Sequence, residues 1–591
     1  MKRLASMSSG QRVAAAKGMP FANSPVLTAK LSAGRSRFVL FVMFAALLAL
    51  AGRAIWLQGM SKDFLQKQGE SRYVRTLELP ATRGKIMDRN GHVLASSLPV
   101  KAVWAIPEDV KDAPEAKLLE LAKLLGMSKR DLDKKLDSDK GFVYLKRQVE
   151  NDVADAVIKL GIDGIQTRKE YKRYYPEGAA MAHVVGFTNV EDVGQESMEL
   201  AHQKILAGVA GNRRVIKDRL GHIVEDVRAI REPQDGKDLT LSLDSKIQHI
   251  AFTQLKEAVE AHKAKAAGIV VLDIKTGEVL ALANLPTYNP NDRRALTGAQ
   301  LRNRVLTDTF EPGSVMKPFT VALALERGFV KPETHIQTAP GKMTIGTATI
   351  GDSHAHGVLT VEQVIEKSSN IGTAKMALQM QPQEMWEMFT SVGFGQQPKI
   401  GFPGAVAGRV RPYASWRPIE QATMSYGHGI SASLLQVAQS YMIFARNGDT
   451  VPLSFLKTSA KPIGQRVISE KTARAMRKMM EMAAGPGGTA PKAQVPGYRV
   501  AGKTGTAHKL AGGKYVNKYI ASFVGFAPVS DPRLIIAVMV DEPSNGKHFG
   551  GDVAAPVFAT VTANALRALN VAPDTTKTNI VIPAQGLKES I

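Results

Sequence analysis

The feature that most constrains the fold is an apolar stretch that begins at Phe38. It reads FVLFVMFAALLALAGRAIWL as far as Leu57 and holds one charge, Arg53, among 20 residues. At a rise of 1.5 Å per residue, such a helix spans roughly 30 Å, the thickness of the hydrocarbon core of a bilayer. Arg53 lies near one end, where its side chain reaches the headgroups, and Trp56 suits the membrane interface. The sequence therefore predicts a transmembrane helix over residues 38–57.

The charges on either side of this helix predict its orientation. Residues 1–37 contain seven Lys and Arg residues and no Asp or Glu. By the positive-inside rule we expect this basic tail in the cytoplasm, and the rest of the chain, from about residue 58, on the outer side of the membrane. In a Gram-negative cell that side of the inner membrane is the periplasm. A cleaved signal peptide is the alternative, but its basic region would be unusually long, and no clear small-x-small cleavage site follows.

Composition and charge exclude several classes of protein. A chain of 591 residues is too long for one core, so we expect two or three domains. The lack of cysteine excludes disulfides, thiolate metal sites and cysteine nucleophiles. The net charge is +23, and beyond residue 37 the remaining +16 is spread over 554 residues without a Lys/Arg run. That distribution disfavours nucleic acid and fits an anionic membrane or cell-wall polymer better.

The fold class that the patterns predict is α+β with several domains. Residues 59–235 mix helical stretches near 114–126 and 150–160 with turns marked by Gly and Pro, and the polar stretch 232–238 is typical of a domain boundary. Beyond it we expect at least four strands in an antiparallel sheet flanked by helices. The predicted strands are 268–273, 278–283, 520–526 and 534–540, and the predicted helices are 242–262 and 556–569. Residues 571–591 are polar and predict a loose tail.

The first motif with possible chemistry is Ser314-Val315-Met316-Lys317. The preceding Pro312-Gly313 predicts a tight turn, and the stretch that follows is apolar at helical spacing. Ser and Lys three residues apart share one side of a helix. A serine hydroxyl needs a base to become a good nucleophile, and a lysine whose surroundings keep it neutral can be that base. By itself the motif is more often an ordinary helix start.

Two further motifs are equally weak when taken alone. Ser368-Ser369-Asn370 lies between two predicted helices, where a hydroxyl and an amide two residues apart can point the same way, although it is also a common helix cap. Lys503-Thr504-Gly505-Thr506 lies on a predicted strand and offers a cation and hydroxyls for a carboxylate. Gly505 there permits close approach of another backbone.

The order and spacing of the three motifs resemble the signature set of penicillin-binding proteins and serine β-lactamases. Residues 238–570 resemble a penicillin-binding transpeptidase domain. Upstream motifs resemble the non-catalytic pedestal, of dimerisation type, of class B penicillin-binding proteins, and residues 52–58 and 100–105 resemble the cell-division, or septal, type. The pedestal motifs are Arg83-Gly84-Lys85-Ile86-Met87-Asp88-Arg89-Asn90-Gly91, Arg173-Tyr174-Tyr175-Pro176 and Gly194-Gln195-Glu196.

This resemblance implies a domain order and a role for each motif residue. The order is a cytoplasmic tail (1–37), a transmembrane helix (38–57), a pedestal (58–235), a transpeptidase domain (236–570) and a flexible tail (571–591). Ser314 would attack a stem peptide of peptidoglycan to form an acyl-enzyme, with Lys317 as base. Ser368 would pass the proton to the leaving D-Ala, Asn370 would hold Lys317 and the substrate amide, and Lys503 would add positive potential.

The same resemblance implies the substrate contacts and the partners. Thr504 and Thr506 would bind the terminal carboxylate beside Gly505, and the backbone N–H groups of Ser314 and Thr506 would form the oxyanion hole. β-Lactams would inhibit by acylating Ser314, and no metal or organic cofactor is expected. The expected partners are peptidoglycan stem peptides, a membrane glycosyltransferase and other divisome proteins.

Alternative functions remain open at the level of sequence. An elongation transpeptidase shares all three motifs, and a β-lactamase or carboxypeptidase shares the nucleophile. A non-catalytic division scaffold or a β-lactam sensor is the alternative outside enzymes. His354 and His356 lie two residues apart without a third ligand nearby in sequence, so we expect a solvated loop. His428 is expected near the cleft without an assigned role.

Overall fold

The structure, a computed structural model, describes residues 32–60, 74–217, 223–576 and 580–581. The predicted cytoplasmic tail as far as residue 31, and most of the predicted C-terminal tail beyond residue 576, lie outside the described residues. The chain forms two compact units, one of residues 1–77 and 212–230 and the other of residues 78–211 and 231–591. The predicted boundary near residue 235 does not coincide with these divisions and stays a prediction.

The described residues form helices and strands that are interspersed along the chain. The helices are α1 Ala33–Ile55, α2 Pro107–Val110, α3 Glu115–Leu125, α4 Lys129–Leu136, α5 Asn151–Lys159, α6 Ala182–Val185, α7 Ser197–Ala201, α8 Gln203–Leu206, α9 Ser245–His262, α10 Gly298–Leu301, α11 Arg304–Thr307, α12 Lys317–Glu326, α13 Val361–Lys367, α14 Asn370–Ala377, α15 Pro382–Ser391, α16 Pro418–Met424, α17 Leu434–Ser440, α18 Met442–Ala445, α19 Glu470–Ala484, α20 Gly550–Val553 and α21 Ala555–Ala568. The strands are β1 Val74–Leu79, β2 Ile86–Met87, β3 Val93–Ala105, β4 Val143–Val149, β5 Ile165–Tyr174, β6 Gly211–Lys217, β7 Ile223–Arg231, β8 Leu239–Thr240, β9 Ala266–Asp273, β10 Val279–Leu285, β11 His335–Gln337, β12 Lys342–Ile345, β13 Ala348–Gly351, β14 Val358–Thr360, β15 Asp449–Thr450, β16 Gln465–Arg466, β17 Ala501–Ala511, β18 Lys514–Ala527 and β19 Leu534–Asp541.

The apolar stretch forms one helix, as predicted. Helix α1 begins at Ala33, five residues before the predicted start, and a π-helical turn over Trp56–Met60 continues it. The 27 residues Ala33–Gly59 are long and apolar enough to cross a membrane, and no part of their most apolar window is buried against the protein. This helix fits a single-pass membrane anchor. The same unit contains a three-stranded sheet with the strand order β1-β6-β7.

A five-stranded antiparallel sheet organises the C-terminal half of the chain. Its order is β10-β9-β19-β18-β17, and it includes all four strands that the sequence predicts. Successive side chains of a strand point to opposite faces, so each strand contributes to two cores. Ile269, Val271 and Val538 pack on the side of α9 and α21, whereas Val270 and Leu272 belong to the larger core on the other side. Strand β17, which carries the third motif, is an edge strand.

The pedestal is built on a second sheet with the order β4-β3-β2-β8, in which β5 also pairs with β3. Helices α3, α4 and α5 cover part of it around a small core that includes Leu121, Leu132, Leu145 and Val157. The short strand β2 pairs in parallel with β8 through Ile86 and Leu239. This pairing joins the first pedestal motif directly to the chain that enters α9.

Asp88 ties that motif to the start of helix α9. Its carboxylate accepts hydrogen bonds from the backbone N–H and the hydroxyl of Ser245, at 3.1 and 2.8 Å, and from the N–H groups of Asn90 and His92, both at 2.8 Å. Burial alone would raise the pKa of Asp88, but these hydrogen bonds outweigh burial and lower the pKa. The first turn of α9 is therefore held by an acid from the pedestal as well as by its own cap, Asp244.

A buried ion cluster brings the three pedestal motifs together. Glu199 accepts from the Nε atoms of Arg83 and Arg173, both at 2.7 Å, and these side chains are almost completely buried. Arg173 also donates to the carbonyl of Gly84 at 2.8 Å. Glu199, the acid that meets the two arginines, lies three residues beyond the motif Gly194-Gln195-Glu196. A buried cation is tolerated only with such partners.

We expect Glu199→Gln to destabilise this part of the fold strongly. The change keeps the shape of the side chain but leaves two buried guanidinium groups without a counter-charge, which costs about 3–5 kcal/mol of the free energy of unfolding. Urea unfolding of the full chain measures this loss.

Glu150→Gln is the matched control. Glu150 lies 3.3 Å from Lys172, with 61% and 44% of the two side chains exposed, and the loss expected for such a surface pair is below about 1 kcal/mol. Similar losses in the two variants would contradict a structural role for the buried cluster.

Candidate active site

The first motif forms a short turn that leads directly into a buried helix. Gly313–Met316 is a 3-10 turn, which we call the nucleophile turn, and α12 continues from it at Lys317. Residues three apart in a 3-10 turn lie on the same side, so Ser314 and Lys317 face one way. Ser314 is only 3% exposed. Pro318 occupies the first turn of α12, where a missing N–H removes no helical hydrogen bond.

The surroundings of α12 explain why the turn is rigid. Every residue from Gly313 to Ala324 is buried, which is expected of a helix that is apolar on all sides. Phe319 packs edge-on against Phe394 and Tyr441, with ring centroids 5.5 and 5.6 Å apart. The hydroxyl of Tyr441 donates to the carbonyl of Val315 at 2.8 Å. A side chain of the core therefore holds the backbone of the nucleophile turn.

Lys317 joins the first motif to the second. Its side chain is fully buried, and its Nζ donates to the backbone carbonyl of Ser368 and, at 3.0 Å, to the Ser368 hydroxyl. A buried amine requires such partners, because an unpaired one loses the solvation it had in water. The lysine and the serine of the second motif therefore form one hydrogen-bonded unit.

The second motif lies between α13 and α14 and depends on Asp352. Ser368 has a left-handed backbone, with φ of +60°, which is uncommon for a residue other than glycine. The Asp352 carboxylate accepts from the Ser369 hydroxyl at 2.6 Å and from the N–H groups of Asn370 and Ile371 at 2.5 and 3.0 Å. An acid at the start of a helix stabilises it through the unpaired N–H groups there.

Asn370 differs in part from our expectation. Its Nδ2 donates to the carbonyl of Gly351 at 3.0 Å, whereas its Oδ1 is buried and accepts no hydrogen bond from any described protein group. The expected hydrogen bond from Lys317 to this oxygen is therefore not formed. Buried polar atoms normally have a partner. The Oδ1 atom remains available to a donor such as the N–H group of a substrate amide.

The third motif is buried on the edge strand β17. Lys503 is fully buried, and its Nζ donates to the carbonyl and hydroxyl oxygens of Thr504 at 3.3 and 3.1 Å. The Thr504 hydroxyl lies 2.9 Å from that of Thr489, and the Thr506 hydroxyl accepts from the N–H of Gly550 at 3.0 Å. These contacts fix both hydroxyls in place. Each hydroxyl oxygen that accepts a hydrogen bond keeps its own proton to donate.

Glycines allow the nucleophile turn and β17 to approach each other. A Cβ atom on Gly505 would lie 2.5 Å from the Ser522 hydroxyl, 2.8 Å from the Pro312 carbonyl and 3.1 Å from Val315. A Cβ on Gly427 would lie 2.3 Å from the Gly313 carbonyl. Neither position has room for a side chain. The expectation that Gly505 permits close backbone approach is thus correct, and the first and third motifs are in contact.

The glycine loop, which we define as Tyr426-Gly427-His428-Gly429, covers the other side of the nucleophile turn. The His428 ring lies edge-on to Tyr426, with centroids 5.3 Å apart. Burial lowers the pKa of His428; Glu311 opposes this shift, and the neighbouring Lys317 and His508 add to it. A neutral imidazole therefore lies within electrostatic reach of the buried lysine.

Four residues that support the site have no signal in the sequence. Asp352, Thr489 and Gly550 contact motif residues from 15 to 44 positions away, and Glu311 contacts residues more than 100 positions away.

His354 is exposed, and its ring centroid lies 6.3 Å from that of His356. In the part of the chain that the structure describes, no group of three or more His, Cys, Asp or Glu residues could hold a metal ion.

Comparison with protein families identifies both halves of the chain. Residues 267–563 match the family model described as the penicillin binding protein transpeptidase domain. Residues 78–241 match the model described as the penicillin-binding protein dimerisation domain. Together these two matches include the three motifs of the candidate site and the three pedestal motifs.

Curated relatives are similar over most of the chain. The protein named "Probable peptidoglycan D,D-transpeptidase PenA" of Neisseria gonorrhoeae is 44% identical over 547 residues, which are 92% of this chain and 94% of that protein. The peptidoglycan D,D-transpeptidase FtsI of Escherichia coli strain K12 is 41% identical over 536 residues, 90% of this chain and 91% of that protein.

Solved structures share the fold. The transpeptidase domain of Burkholderia pseudomallei penicillin-binding protein 3 is 53% identical, with a TM-score of 0.53, and covers 57% of this chain and 98% of its own. A peptidoglycan synthetase of Bifidobacterium adolescentis is 25% identical, with a TM-score of 0.68, and covers 86% of this chain and 99% of its own.

We expect Gly505→Ala to separate the nucleophile turn from β17 and to slow acylation by a β-lactam. The clash with the Pro312 carbonyl cannot be relieved by a side-chain rotation, and a displacement of about 1 Å in an active site costs about 10²-fold in rate. Stopped-flow acylation with a fluorescent penicillin measures the change. Ser522→Ala in the same chain should not restore the rate, because the clash with Pro312 remains.

Gly298→Ala is the control, because a Cβ there meets nothing within 4 Å. It should keep the wild-type acylation rate. Wild-type acylation in Gly505→Ala would contradict the close-approach argument.

Proposed function

The chain belongs to the penicillin-binding transpeptidase family, and from that premise we propose that Ser314 is the nucleophile with which it cross-links peptidoglycan. The enzyme is a peptidoglycan D,D-transpeptidase of the septal, FtsI type, and it is a target of β-lactams. The observation that carries the assignment to Ser314 is the buried hydrogen bond between Lys317 and Ser368, beside a turn that packs on Gly505. Ser314 lies three residues before this buried lysine, on the turn that faces β17.

We propose that Lys317 is the base of acylation. The Ser314 oxygen attacks the penultimate D-Ala carbonyl, and its proton passes to the Lys317 amine. The surroundings favour this, because Lys317 is fully buried and its amine donates to the neutral carbonyl and hydroxyl oxygens of Ser368. A buried amine with neutral partners is the setting in which lysine serves as a base.

The negative charge that develops on the attacked carbonyl oxygen needs fixed donors. We propose the backbone N–H groups of Ser314 and Thr506, which lie on the two segments that Gly505 and Gly313 hold in contact. Removing one such donor in other enzymes costs about 10²–10³ in rate, so this contribution rivals that of the base.

We propose that Ser368 returns the proton to the leaving group. Its hydroxyl already accepts from Lys317 at 3.0 Å, so a proton can pass from the lysine through Ser368 to the amine of the departing D-Ala. An amine of a neighbouring stem peptide then attacks the acyl-enzyme, loses its proton by the reverse route and frees Ser314. A β-lactam acylates Ser314 in the same way, but its ring-opened product stays attached.

The remaining motif residues are proposed to bind the substrate. The hydroxyls of Thr504 and Thr506 donate to the terminal carboxylate, with Lys503 supplying positive potential and Gly505 keeping the nucleophile turn close to β17. Asn370 accepts from a substrate amide through its Oδ1, which accepts from no described protein group. Each of these roles can be tested by a single substitution, because each role depends on a different atom.

We propose the topology and the partners from the anchor and the family. The basic residues before Phe38 favour a cytoplasmic N-terminus, and residues beyond about 58 would then lie in the periplasm as the pedestal (58–235) and the transpeptidase domain (236–570). The two matched family models cover no glycosyltransferase domain, so we propose a separate membrane glycosyltransferase, with other divisome proteins, as partner.

The two lysines should respond differently to arginine. Arginine cannot lose a proton in a protein, so Lys317→Arg should abolish the base and lower the second-order acylation constant by about 10²–10⁴-fold. Lys503→Arg keeps the positive charge and should retain a substantial part of the rate. Stopped-flow acylation by a fluorescent penicillin measures both.

The comparison requires that both variants melt as the wild type does. Equal losses would count against this division of roles, and a larger loss in Lys503→Arg would reverse it.

The topology is tested by protease accessibility. In spheroplasts, added protease should digest the catalytic domain and leave a fragment with the anchor in the membrane fraction. Recovery of a mature chain that begins after residue 57 would mean that the apolar segment is a cleaved signal.

The cellular role is tested by depletion in the parent cell. Cells that lose the protein should grow as filaments, and only the wild-type chain, not Ser314→Ala, should restore division. Round cells would indicate an elongation transpeptidase instead.

A further inference from the structure

Glu311 has no role in the steps described so far, although it lies at the entrance to the nucleophile turn. Its Oε1 accepts from the backbone N–H of Gly429 in the glycine loop at 2.9 Å. The Tyr515 hydroxyl donates to Oε1 and Oε2 at 3.1 and 2.9 Å. One carboxylate therefore connects the nucleophile turn with segments 118 and 204 positions further along the chain.

Tyr515 reaches Glu311 because the β17–β18 hairpin changes register. His508 pairs with Tyr519, but the next residue, Lys509, pairs with Val516. Such irregularities bend a strand and re-aim its side chains. We call residues 509–516 the hairpin tip. Its base is held by Lys509, whose Nζ donates to Asp541 at 2.6 Å and to Glu542 at 2.8 Å.

The Tyr515 side chain is 53% exposed, so the fold does not need this contact to bury apolar surface. Burial and the Glu311 carboxylate raise the pKa of Tyr515 to about 12, which keeps the hydroxyl protonated as a hydrogen-bond donor. The contact is thus a directed hydrogen bond between the tip and the nucleophile turn. Its removal alters the site without opening the core.

The two proposed oxyanion donors lie on different segments, Ser314 on the nucleophile turn and Thr506 on β17. Stabilisation of the oxyanion requires both N–H groups at fixed distances from one point. Gly505 fixes the middle of β17 against Pro312, and Gly427 fixes the glycine loop against Gly313. Tyr515, which pairs from β18 with Leu510 near the far end of β17, and Gly429 at the far end of the glycine loop both meet Glu311.

We propose that Glu311 is a positioning residue for acylation, whose carboxylate ties the hairpin tip and the glycine loop to the nucleophile turn and so sets the distance between the two oxyanion donors. The proposal rests on the proposed function, because it supposes acylation at Ser314. It assigns the effect to hydrogen bonding. A carboxylate could instead act through its charge on His428 or Lys317, and the two possibilities predict different variants to be active.

The test uses the full chain in detergent with a fluorescent penicillin, and separates the binding constant K from the acylation rate k2. Glu311→Ala should lower k2 about tenfold and change K less than twofold, because misplaced donors affect the transition state more than the bound ligand. Glu311→Gln should keep at least about half of k2, since its amide oxygen still accepts from both donors. Tyr515→Phe should lower k2 about threefold.

A double substitution shows whether Glu311 acts through Tyr515. In a Tyr515→Phe background, the further loss in k2 from Glu311→Ala should be smaller than in the wild type, because the two residues share one interaction. Melting temperatures are measured for every variant. If Glu311→Ala does not fold, Tyr515→Phe, which removes one half-exposed hydroxyl, decides the question by its own k2.

The outcomes that overturn the proposal are specific. The first is a k2 within twofold of wild type in Glu311→Ala or, if that variant does not fold, in Tyr515→Phe. The second is a Glu311→Gln variant as slow as Glu311→Ala, which would indicate that the charge of Glu311 matters. The others are a loss that appears in K alone and fully additive losses of k2 in the double variant. A wild-type chain that is not acylated at Ser314 would refute the proposed function, and not this proposal alone.

Discussion

The rest of the site depends on the burial of one amine, that of Lys317. An amine removed from water is tolerated only if its protons find acceptors, and here the acceptors are the carbonyl and hydroxyl oxygens of Ser368. Ser368 can offer both because its backbone is left-handed, and Asp352 holds that loop by binding the residues that follow. Each part of the second motif is thereby placed with respect to the lysine of the first. The acylation proposed for Ser314 depends on this placement of Lys317 and Ser368 more than on any single contact of Ser314.

The same constraint operates in the pedestal, but with a different outcome. There the carboxylate of Glu199 pairs with two buried guanidinium groups. The resulting ion cluster holds three distant segments of the chain together. In the site, Lys317 and Lys503 have neutral oxygens as their hydrogen-bond acceptors, an arrangement that serves a base and a substrate anion better than it serves stability. The buried ion pairs specify how the pedestal is assembled, whereas the buried lysines of the site suggest function.

Much of the fold could be predicted from local sequence patterns, whereas the contacts between distant residues could not. The strands around Val270 and Val538 and the start of α9 at Asp244 were predictable, because alternation and capping are visible within a few residues. The three motifs were recognisable by their order. Asp352, Thr489 and Glu311 were not, since nothing near them in sequence marks an acid or hydroxyl that reaches a distant loop. The pedestal acid Glu199 was not predicted either, because the sequence does not show which of several nearby acids meets the two arginines. The register shift after His508 was likewise invisible, and it decides where Tyr515 points.

The most direct measurement of the central claim is the mass of the penicillin adduct and its position in the chain. The purified full-length protein is incubated with a penicillin, its intact mass is measured, and the modified residue is located by peptide mapping. The account predicts one adduct per chain, on Ser314, and an unmodified mass for Ser314→Ala with wild-type melting. An adduct on another residue, or an adduct that persists in Ser314→Ala, would contradict it.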